Sequence, residues 1–371
     1  MSDTGIVAVF TGIRKPFQLR EFPVPRPEPG AILVEVRMAN VCGSDLHIWR
    51  GDYDVYRGQS EPFCLSIGHE MVGRIAALGE GVTHDWAGSS LAVGDRVAYQ
   101  YFCPCGECRS CRTGRTPRCS QGHRYRSPPT DYPHFNAAYG QYYYLRRPQA
   151  VFKVPDNVPD ILAGPANCAL SQVIDGWERA AAGPGDSVVI QGAGGLGINA
   201  IAVAKERQVS QVIVIDGIDS RLELAHDFGA DVTIDVKEFN SPQARVRRVR
   251  ELTQGEGADV VMELVGAPAV VAEGIEMLCN GGTYVEIGNI NQRLTCEFNP
   301  ASIVHGGKTI LGLMWYRPES LHQALQLLST RADRYPFGKL LSQQFPLSAI
   351  DEAFREQDAG AVHRAALLPW G

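Results

Sequence analysis

The sequence predicts an α/β protein with two domains: a β-rich N-terminal domain and a doubly wound parallel sheet. A chain of 371 residues is too long to fold readily around a single hydrophobic core. Up to about residue 155, short alternating runs are separated by Gly and Pro clusters. Further along, uninterrupted apolar runs alternate with helical patterns. Strands that lack period-two polarity are typical of a parallel sheet covered by helices.

The N-terminal domain is predicted over residues 1–158. Alternating runs at residues 31–36 and 95–99 indicate short strands. The proline-rich segment at residues 22–30 has no capacity for regular structure, and it reads as a surface connection. This domain is therefore expected to be built from strands joined by irregular loops.

The second domain is predicted over residues 159–301. It opens with apolar residues at helical spacing across residues 161–182. Buried strands then alternate with helices, and these strands are predicted at residues 187–190, 211–215, 259–263 and 282–287. From residue 302 the alternation breaks, so we expect residues 302–371 to return to the first domain.

The charge pattern excludes several classes of partner. The net charge is −6, and Lys and Arg are interspersed with acidic residues, which argues against nucleic-acid or anionic-membrane binding. No apolar run approaches the roughly 20 residues that span a bilayer. The N-terminus lacks the basic and apolar regions of a signal peptide. We therefore expect a cytoplasmic protein whose ten cysteines remain thiols.

A glycine-rich turn between a predicted strand and a predicted helix is typical of a dinucleotide site. Residues 192–197 read G-A-G-G-L-G and fit G-x-G-x-x-G, although 39 glycines make a chance match easy without this context. The glycines allow a tight turn, close approach of the pyrophosphate and close helix packing, and the helix N-terminus offers amide donors. The predicted cofactor-binding residues of the turn are Gly192, Gly194, Gly195, Leu196 and Gly197.

Asp216 indicates which dinucleotide is bound. It lies at the end of the second predicted strand, nineteen residues beyond Gly197. A carboxylate there accepts hydrogen bonds from the ribose hydroxyls and repels a 2′-phosphate, so we predict NAD. Arg221 complicates this prediction, because a positively charged side chain nearby could help to bind the 2′-phosphate of NADP. The alternative interpretation of Asp216 is a helix cap in a loop.

Five of the ten cysteines lie between residues 103 and 119, and four of them have metal-ligand spacing. Cys105, Cys108, Cys111 and Cys119 follow C-x2-C-x2-C-x7-C. Four thiolates complete a tetrahedron and leave no open position, so we predict a structural zinc lobe over residues 103–119. Iron would satisfy the same ligands, but zinc is expected. Cys103 is a surplus neighbour that could compete for the ion.

Three other segments carry ligands of the catalytic type: C-G-S-D-L-H at residues 42–47, G-H-E at residues 68–70, and N-C at residues 167–168. Each is weak evidence alone, because a lone His or Cys is more often a packed residue. In this order, with the cysteine lobe and the glycine turn, they make the chain resemble the zinc-containing alcohol dehydrogenase family of the medium-chain dehydrogenase/reductase superfamily. The resemblance covers nearly the whole chain, from residue 30 to residue 364.

The resemblance implies a GroES-like catalytic domain, a Rossmann domain and zinc-dependent hydride transfer between an alcohol and NAD. Carried over, Cys42, His69 and Cys168 are the protein ligands of a catalytic zinc, and the fourth position is left for water or substrate. Many polyol-type relatives place a carboxylate near the position of Cys168, which makes this ligand the least direct of the three. Two zinc ions per chain are therefore expected, one catalytic and one structural.

The resemblance also implies roles for the polar neighbours. Ser44 corresponds to the hydroxyl that takes the alcohol proton, and His47 passes that proton to solvent through the cofactor ribose. Asp45 is expected to orient the ring of His69. Glu70 corresponds to a residue that supports the ligands or becomes an alternate ligand, and a salt-bridged structural role is the competing interpretation.

The C-terminal part and the substrate pocket are less defined. Arg364 corresponds to an arginine that contacts the cofactor pyrophosphate. The substrate is expected to be a small-molecule alcohol or ketone, and a secondary alcohol of polyol, sugar or cyclitol type is favoured. The direction of the reaction, oxidation or reduction, is left open. Stretches rich in Tyr and Arg at residues 123–126 and 144–147 could accommodate it, or could be solvated loops. Candidate pocket residues, for which plain core is the alternative, are Trp49, Tyr53, Tyr56, Met314 and Trp315.

Two rival functions fit parts of the sequence. A zinc-free quinone or enone reductase shares the fold, but it needs no ligands like Cys42, His69 and Cys168. A non-catalytic nucleotide-binding relative would not need both those ligands and a proton-relay pair. Members of the family are dimers or tetramers, commonly joined through the edge of the Rossmann sheet, so a homodimer or homotetramer is expected.

Overall fold

The computed structural model describes residues 2–52, 63–124, 128–147, 149–340 and 343–371. The strands are β1 (Thr4–Phe10), β2 (Gln18–Pro23), β3 (Ile32–Asn40), β4 (Leu65–Ser66), β5 (Glu70–Leu78), β6 (Arg96–Tyr99), β7 (Phe102–Cys103), β8 (His123–Arg124), β9 (Tyr142–Leu145), β10 (Val151–Lys153), β11 (Ser187–Gln191), β12 (Gln211–Asp216), β13 (Val232–Asp235), β14 (Ala258–Glu263), β15 (Leu278–Glu286), β16 (Thr309–Gly312), β17 (Gln343–Pro346) and β18 (Ala365–Leu368). The α-helices are α1 (Gly43–Arg50), α2 (Arg109–Arg112), α3 (Asp160–Pro165), α4 (Ser171–Arg179), α5 (Gly195–Glu206), α6 (Asp219–Asp227), α7 (Pro242–Leu252), α8 (Val271–Met277), α9 (Ala301–Gly306), α10 (Pro318–Arg331) and α11 (Ile350–Asp358).

The described chain divides into two compact units. The first unit comprises Met1–Cys168, Arg317–Asp333 and Phe337–Gly371, and the second comprises Ala169–Tyr316 and Arg334–Pro336. Each unit therefore contains segments that are distant in sequence.

The boundaries of these units differ from the predicted junctions after residues 158 and 301. The first unit continues to Cys168 because α3 packs against β3 and β5. Gly164 permits this packing, since a Cβ there would lie 2.5 Å from Asn40 Oδ1. The chain leaves the second unit only after Tyr316, because β16 pairs in parallel with β15 and extends that sheet.

The first unit is built on a mixed sheet with the strand order β10-β6-β5-β3-β18-β17, and β9 also pairs with β3. Strand β18, near the C-terminus, runs antiparallel to β3, with Ala366 opposite Asn40. A second sheet has the order β2-β1-β4, and β7 pairs with β8. The long strand β3 is therefore central to the unit, and it leads directly into α1.

The second unit contains the predicted parallel sheet, and this prediction is confirmed. Its order is β13-β12-β11-β14-β15-β16, and each neighbouring pair is parallel. Residues 212–216 of β12 are buried without interruption, as expected for a strand covered on both faces. Its core includes Val189, Ile213, Val261 and Tyr284, none of which is exposed. None of the described helices is long and apolar enough to cross a membrane.

The turn from β11 into α5 requires glycine at two positions. Gly192 has a φ of 95°, which lies in the left-handed region. A Cβ on Gly197 would lie 1.9 Å from the carbonyl oxygen of Gly192, closer than any side chain can approach. The start of α5 therefore packs directly on the end of β11, as the sequence pattern predicts.

Candidate functional site

Four residues that are distant in sequence converge in the first unit. Cys42, His69, Glu70 and Cys168 each offer a ligand atom, and these atoms lie within 4.8 Å of one another. His69 Nε2 is 3.3 Å from Cys168 Sγ, and the sulfurs of Cys42 and Cys168 are 3.7 Å apart. We call this group the first cluster. It brings together the three predicted ligands and Glu70.

Local structure explains how each ligand is presented. Cys42 is the residue before α1, at the end of the segment that leaves β3. His69 and Glu70 follow Gly68, whose φ of 92° turns the chain into β5. Cys168 lies in a π-helical segment, Ala166–Leu170, between α3 and α4. Such wider turns occur frequently at functional sites, since they re-aim one side chain within a helix.

The backbone and ring of His69 are both anchored. The Tyr99 hydroxyl and Asn167 Nδ2 each donate to the carbonyl oxygen of His69 at 2.9 Å. Asp45 Oδ1 lies 3.3 Å from His69 Nδ1. Because Nδ1 faces a carboxylate, Nε2 is the ring nitrogen that is directed at Cys168. Asn167 directly precedes the predicted ligand Cys168, so its hydrogen bond also links Cys168 to the backbone of the predicted ligand His69.

Thiol electrostatics in the first cluster suit a metal. A hydrogen bond from Cys168, together with the charges of His69 and Arg364, holds the pKa of Cys42 well below its ordinary value. The hydrogen bond to Cys42 and burial raise the pKa of Cys168 well above its own. The Cys42 thiolate thus forms easily, and it accepts a hydrogen bond from the protonated thiol of Cys168. Soft thiolates with one imidazole are the donors that Zn²⁺ takes, so this set fits zinc.

Glu70 is a buried carboxylate beside the thiols. Burial raises its pKa to about 8, while the charge of Arg364 opposes that rise. Arg364 Nη1 lies 3.3 Å from Glu70 Oε2, but within the described chain neither carboxylate oxygen has a hydrogen-bond partner. An under-satisfied buried carboxylate next to three ligands is consistent with a cation at the cluster. Contact of Arg364 with a cofactor pyrophosphate remains a prediction.

The predicted proton-relay residues lie on α1. Ser44 and His47 are three residues apart and therefore share one face of this helix. His47 Nδ1 is 3.2 Å from Asp52 Oδ2, and the His47 side chain is 46% exposed. The imidazole is thus both oriented by a carboxylate and open to solvent. Asp52 was not identified from the sequence.

The four cysteines of the lobe also converge. All four sulfurs lie within 4.8 Å of one another, and those of Cys108 and Cys111 are 3.5 Å apart. Backbone N–H groups of Cys108 and Glu107 lower the pKa of Cys105 to about 6. This set fits a structural zinc, because four sulfurs leave no position for a substrate.

Cys103 lies apart from those four sulfurs in the described structure. It is buried in β7, and burial raises the pKa of its thiol to about 12. Its sulfur is 3.7 Å from the carbonyl oxygen of Pro104 and 3.9 Å from that of Arg146. A protonated, buried thiol packed in this way behaves as a structural residue.

The predicted cofactor residues meet in the second unit. Asp216 ends β12, and its Oδ2 accepts the N–H of Ala193 in the glycine turn at 2.7 Å. Its Oδ1 accepts the N–H groups of Gly217 at 2.7 Å and Ile218 at 3.0 Å. Arg221 Nη1 lies 3.7 Å from Asp216 Oδ2. Gly194 precedes α5, and Gly195, Leu196 and Gly197 form its first turn.

A second carboxylate group at this edge of the sheet was not identified from the sequence. Glu263 ends β14, is fully buried, and lies opposite Glu286 in the register of β15. Its carboxylate accepts the N–H groups of Val265 and Gly266, both at 2.7 Å, and that of Gly288 at 3.0 Å. Burial and Glu286 raise its pKa to about 8. Both strands end in Glu, which is a signal the sequence does contain.

Several predicted pocket residues belong to the core instead. Trp49 is buried and packs against Phe354, with ring centroids 6.1 Å apart. Tyr144 is a buried residue of β9 whose hydroxyl accepts the Glu28 N–H at 2.9 Å, so residues 142–145 are neither pocket nor solvated loop. For residues 144 and 145 both interpretations were wrong, because β9 pairs with β3, whereas Arg146 and Arg147 follow the end of this strand.

The remaining pocket candidates are divided between described and undescribed parts of the chain. Tyr53, Tyr56, Tyr125 and Arg126 lie outside the described residues, as do the side chains at positions 123 and 124. Met314, in the second unit, is exposed, and Trp315 is partly exposed. An aromatic residue missed from the sequence is Tyr101, whose ring centroid lies 4.8 Å from that of His69.

Comparisons with known proteins agree with both units. The alcohol dehydrogenase GroES-like domain matches residues 28–156, and the zinc-binding dehydrogenase domain matches residues 195–330. The chain is 33% identical to 5-exo-hydroxycamphor dehydrogenase of Pseudomonas putida over 345 residues, which cover 92% of each protein. It is 31% identical to erythritol/L-threitol dehydrogenase of Mycolicibacterium smegmatis over 349 residues, 91% of this chain and 90% of that protein.

A solved structure extends this likeness to three dimensions. The alcohol dehydrogenase of Thermotoga maritima matches with a TM-score of 0.90 at 27% identity, covering 98% of this chain and 99% of that one. The predicted fold class, a GroES-like domain with a Rossmann sheet, is thereby confirmed. The chain belongs to the zinc-containing alcohol dehydrogenase family of the medium-chain dehydrogenase/reductase superfamily, whose members are oxidoreductases acting on alcohols.

Proposed function

We propose that this enzyme oxidises a small-molecule alcohol to a ketone or aldehyde with NAD, and that it binds two zinc ions. Cys42, His69 and Cys168 would hold the catalytic ion, and the four cysteines of the lobe would hold the structural one. The observation that carries the proposal is the convergence of three ligands and Glu70 within 4.8 Å. The units correspond to a catalytic domain and a nucleotide-binding domain.

The chemistry divides between the ion and the chain. When bound, Zn²⁺ supplies Lewis acidity that lowers the pKa of an alcohol. Ser44 Oγ takes the alcohol proton, and His47, oriented through Nδ1 by Asp52 at 3.2 Å, accepts it at Nε2 and releases it to solvent. NAD, held at the glycine turn of the second unit, would supply the acceptor for the carbon-bound hydrogen and its electron pair. The products are a carbonyl compound, NADH and one proton, and the same residues can act in reverse.

NAD is proposed over NADP because of Asp216. Its carboxylate is held by three backbone N–H donors, with Ala193 N at 2.7 Å, and therefore presents a fixed negative charge beside the glycine turn. Such a charge attracts the ribose hydroxyls and repels a 2′-phosphate. The ion pair with Arg221, at 3.7 Å, leaves this arginine engaged with Asp216.

For the substrate we propose a secondary alcohol of polyol, sugar or cyclitol type. The names of two relatives, which specify hydroxycamphor and erythritol or L-threitol, denote a cyclic alcohol and an open-chain polyol. Tyr101, whose ring is tilted by 53° to that of His69 at a centroid distance of 4.8 Å, gives the site an aromatic surface that ends in a polar hydroxyl. Two thiolate clusters also favour a reducing compartment, so we propose that the enzyme acts in the cytoplasm.

A homodimer or homotetramer joined through β16 is proposed. This strand ends the parallel sheet, so its outer backbone groups have no strand partner within the described chain. Apolar side chains here are exposed: Ile310 by 44% and Val304 of the preceding helix by 78%. An apolar, unpaired strand edge is suited to pairing with a second copy of the chain.

A substrate screen and metal analysis test this proposal together. We expect NADH formation with secondary alcohols, including polyols and cyclitols, and two zinc ions per chain. Cys42→Ala should retain one zinc, lose turnover and still bind NAD. The matched control is Cys279→Ala, a partly exposed cysteine outside both clusters, which should retain both ions and full activity. A single zinc in the unaltered enzyme would instead support a reductase that has no catalytic zinc. Two zinc ions without hydride transfer would support a non-catalytic relative.

A further inference from the structure

A tyrosine lies directly behind the first cluster and touches none of its ligand atoms. Tyr139 is 1% exposed, and its hydroxyl lies 2.8 Å from Asp45 Oδ2 and 3.3 Å from the carbonyl oxygen of Asn40. A phenol has a single proton to donate, and the closer, charged acceptor takes it. Tyr139 is therefore a dedicated donor to the Asp45 carboxylate.

The two oxygens of Asp45 contact two different predicted ligands. Oδ2 accepts the backbone N–H of Cys42 at 3.1 Å in addition to the Tyr139 hydroxyl. Oδ1 lies 3.3 Å from His69 Nδ1. Asp45 is fully buried, so water cannot replace a lost donor without entering the core. The orientation of this carboxylate thus sets both the start of α1 and the ring of His69.

The ring of Tyr139 is fixed independently of its hydroxyl. It packs edge-to-face against Phe17 and Phe354, with centroid distances of 6.5 Å and 5.7 Å. The backbone of Gly68 crosses the ring so closely that a Cβ there would lie 2.7 Å from ring carbons. The Ala138 N–H also donates to the Gly68 carbonyl oxygen at 3.0 Å. Removal of the hydroxyl alone should therefore leave the ring in place.

We propose that Tyr139 is a positioning residue for the catalytic metal, which it controls through Asp45. By holding one oxygen of Asp45, it keeps the other directed at His69 and so keeps Nε2 aimed at the thiols. This role rests on the proposed function, because it presupposes a metal at the first cluster. Groups that orient a metal-bound histidine typically change metal affinity about 10–100-fold when removed.

The test compares Tyr139→Phe with Tyr144→Phe, in which a buried tyrosine of the same unit loses a hydroxyl that contacts Glu28 instead. Both variants are loaded with zinc, and release of each ion to a chelator is followed. In cobalt-substituted protein the visible absorption of the metal is recorded. We expect Tyr139→Phe to release one of two ions about 10–100 times faster and to shift the cobalt bands. Tyr144→Phe should leave both readouts unchanged.

Two additions make the test decisive. In an Asp45→Asn background, Tyr139→Phe should cause no further change in metal release, because its effect passes through Asp45. Incorporation of 3-fluorotyrosine at position 139 keeps ring and hydroxyl, and it should shift the cobalt bands even if Tyr139→Phe does not fold. Unchanged bands and release rates in Tyr139→Phe, with two ions bound in the unaltered enzyme, would overturn the role of Tyr139 alone. A single ion in the unaltered enzyme would overturn the proposed function and this role together.

Discussion

Individual carboxylates in this protein differ in how the surrounding chain holds them. Asp216 receives three backbone N–H donors, whereas Asp45 receives one backbone N–H and one phenol. Glu70 lies 3.3 Å from Arg364, and its oxygens accept no hydrogen bond from the residues that the structure describes. N–H donors hold a carboxylate in one orientation with its negative charge intact. At the scale of the residue, the Asp216 carboxylate is therefore held in one orientation by its donors. The Glu70 carboxylate is not held by hydrogen bonds from the described residues.

Replacement of Asp216 by Ala should shift the cofactor preference. Loss of hydrogen bonds from a charged acceptor costs about 1.5–3 kcal/mol, so kcat/KM with NAD should fall about 10–100-fold. The value with NADP should fall less or rise, because the repulsion of its 2′-phosphate is gone. The ratio of kcat/KM for the two cofactors is the measurement. Asp219→Ala, an exposed carboxylate paired with Lys237, is the control. A wild-type ratio in Asp216→Ala would contradict the assignment.

Among the secondary-structure elements, the helix that enters the second unit departs most from its sequence pattern. Apolar spacing predicts one helix over residues 161–182, but the structure has α3, the π-helical segment and α4 in succession. Pro165 lies inside this run and cannot donate to the helical ladder. The wider turn that follows brings Cys168 to the first cluster, and the two compact units divide directly after it.

Strands β14 and β15 place two carboxylates side by side at their carboxyl ends. Glu263 and Glu286 are direct partners in the parallel register, and Asn289 Nδ2 donates to both at 3.1 Å. Like charges in adjacent strands repel each other. Together with burial, this repulsion raises the pKa of Glu263 to about 8. The pair therefore favours a state in which at least one proton is retained near neutral pH.

Glu286→Gln should consequently stabilise the protein in alkaline solution. The pKa of Glu263 is raised in the folded state from its ordinary value near 4.5. Its contribution to stability is therefore complete at pH values below 4.5, and it is lost as the pH rises to the folded-state pKa of about 8. The variant removes the repulsion, so its advantage should be small at pH 5 and on the order of 1 kcal/mol above pH 8. Urea unfolding at both pH values measures this difference.

The control for that experiment is Glu251→Gln, an exposed carboxylate of α7 that pairs with Arg248. It should change the unfolding midpoint little at either pH, because exposed ion pairs contribute little to stability. An equal effect of Glu286→Gln at pH 5 and pH 8.5 would contradict the coupling between the two carboxylates.

The whole molecule is organised so that each proposed metal site lies within a single compact unit. All residues of the first cluster, the cysteine lobe and Tyr139 belong to the first unit, and the glycine turn and Asp216 belong to the second. The parallel sheet of the second unit ends at β16 without another strand in the described chain. The proposed assembly through this edge would be a property of the complete molecule rather than of either site.

Ile310→Lys should weaken that assembly. A buried charge at an edge-to-edge interface is unfavourable, and an exposed lysine blocks edge pairing. We expect the molar mass in solution to fall to that of a smaller assembly or a monomer, as measured by light scattering. Leu19→Lys is a matched control, because Leu19 is 43% exposed on β2, also at a sheet edge, and Ile310 is 44% exposed. An unchanged mass for Ile310→Lys would place the interface elsewhere.

Features that depend on near neighbours in the chain were predictable. The strands of the parallel sheet follow from uninterrupted apolar runs, and the glycine turn follows from its place between a strand and a helix. The four-sulfur lobe follows from spacing, since its ligands span only residues 105–119. The first cluster was predictable as a set only through resemblance to a family, because Cys42, His69 and Cys168 are far apart.

Apart from the placement of Asp45 beside His69, which the resemblance implied, the support around that cluster was not predictable. Tyr139 and Asp45 are 94 residues apart, and Asn167 and His69 are 98 apart, so their contacts exist only once β3, β5 and the helix after residue 159 have packed. The core positions of Trp49 and Tyr144, and the division of the chain after Cys168, depend on the same packing. Periodicity and spacing specify local backbone and short-range ligand sets. A hydrogen bond between distant side chains depends on the relative placement of whole strands, which no local pattern encodes.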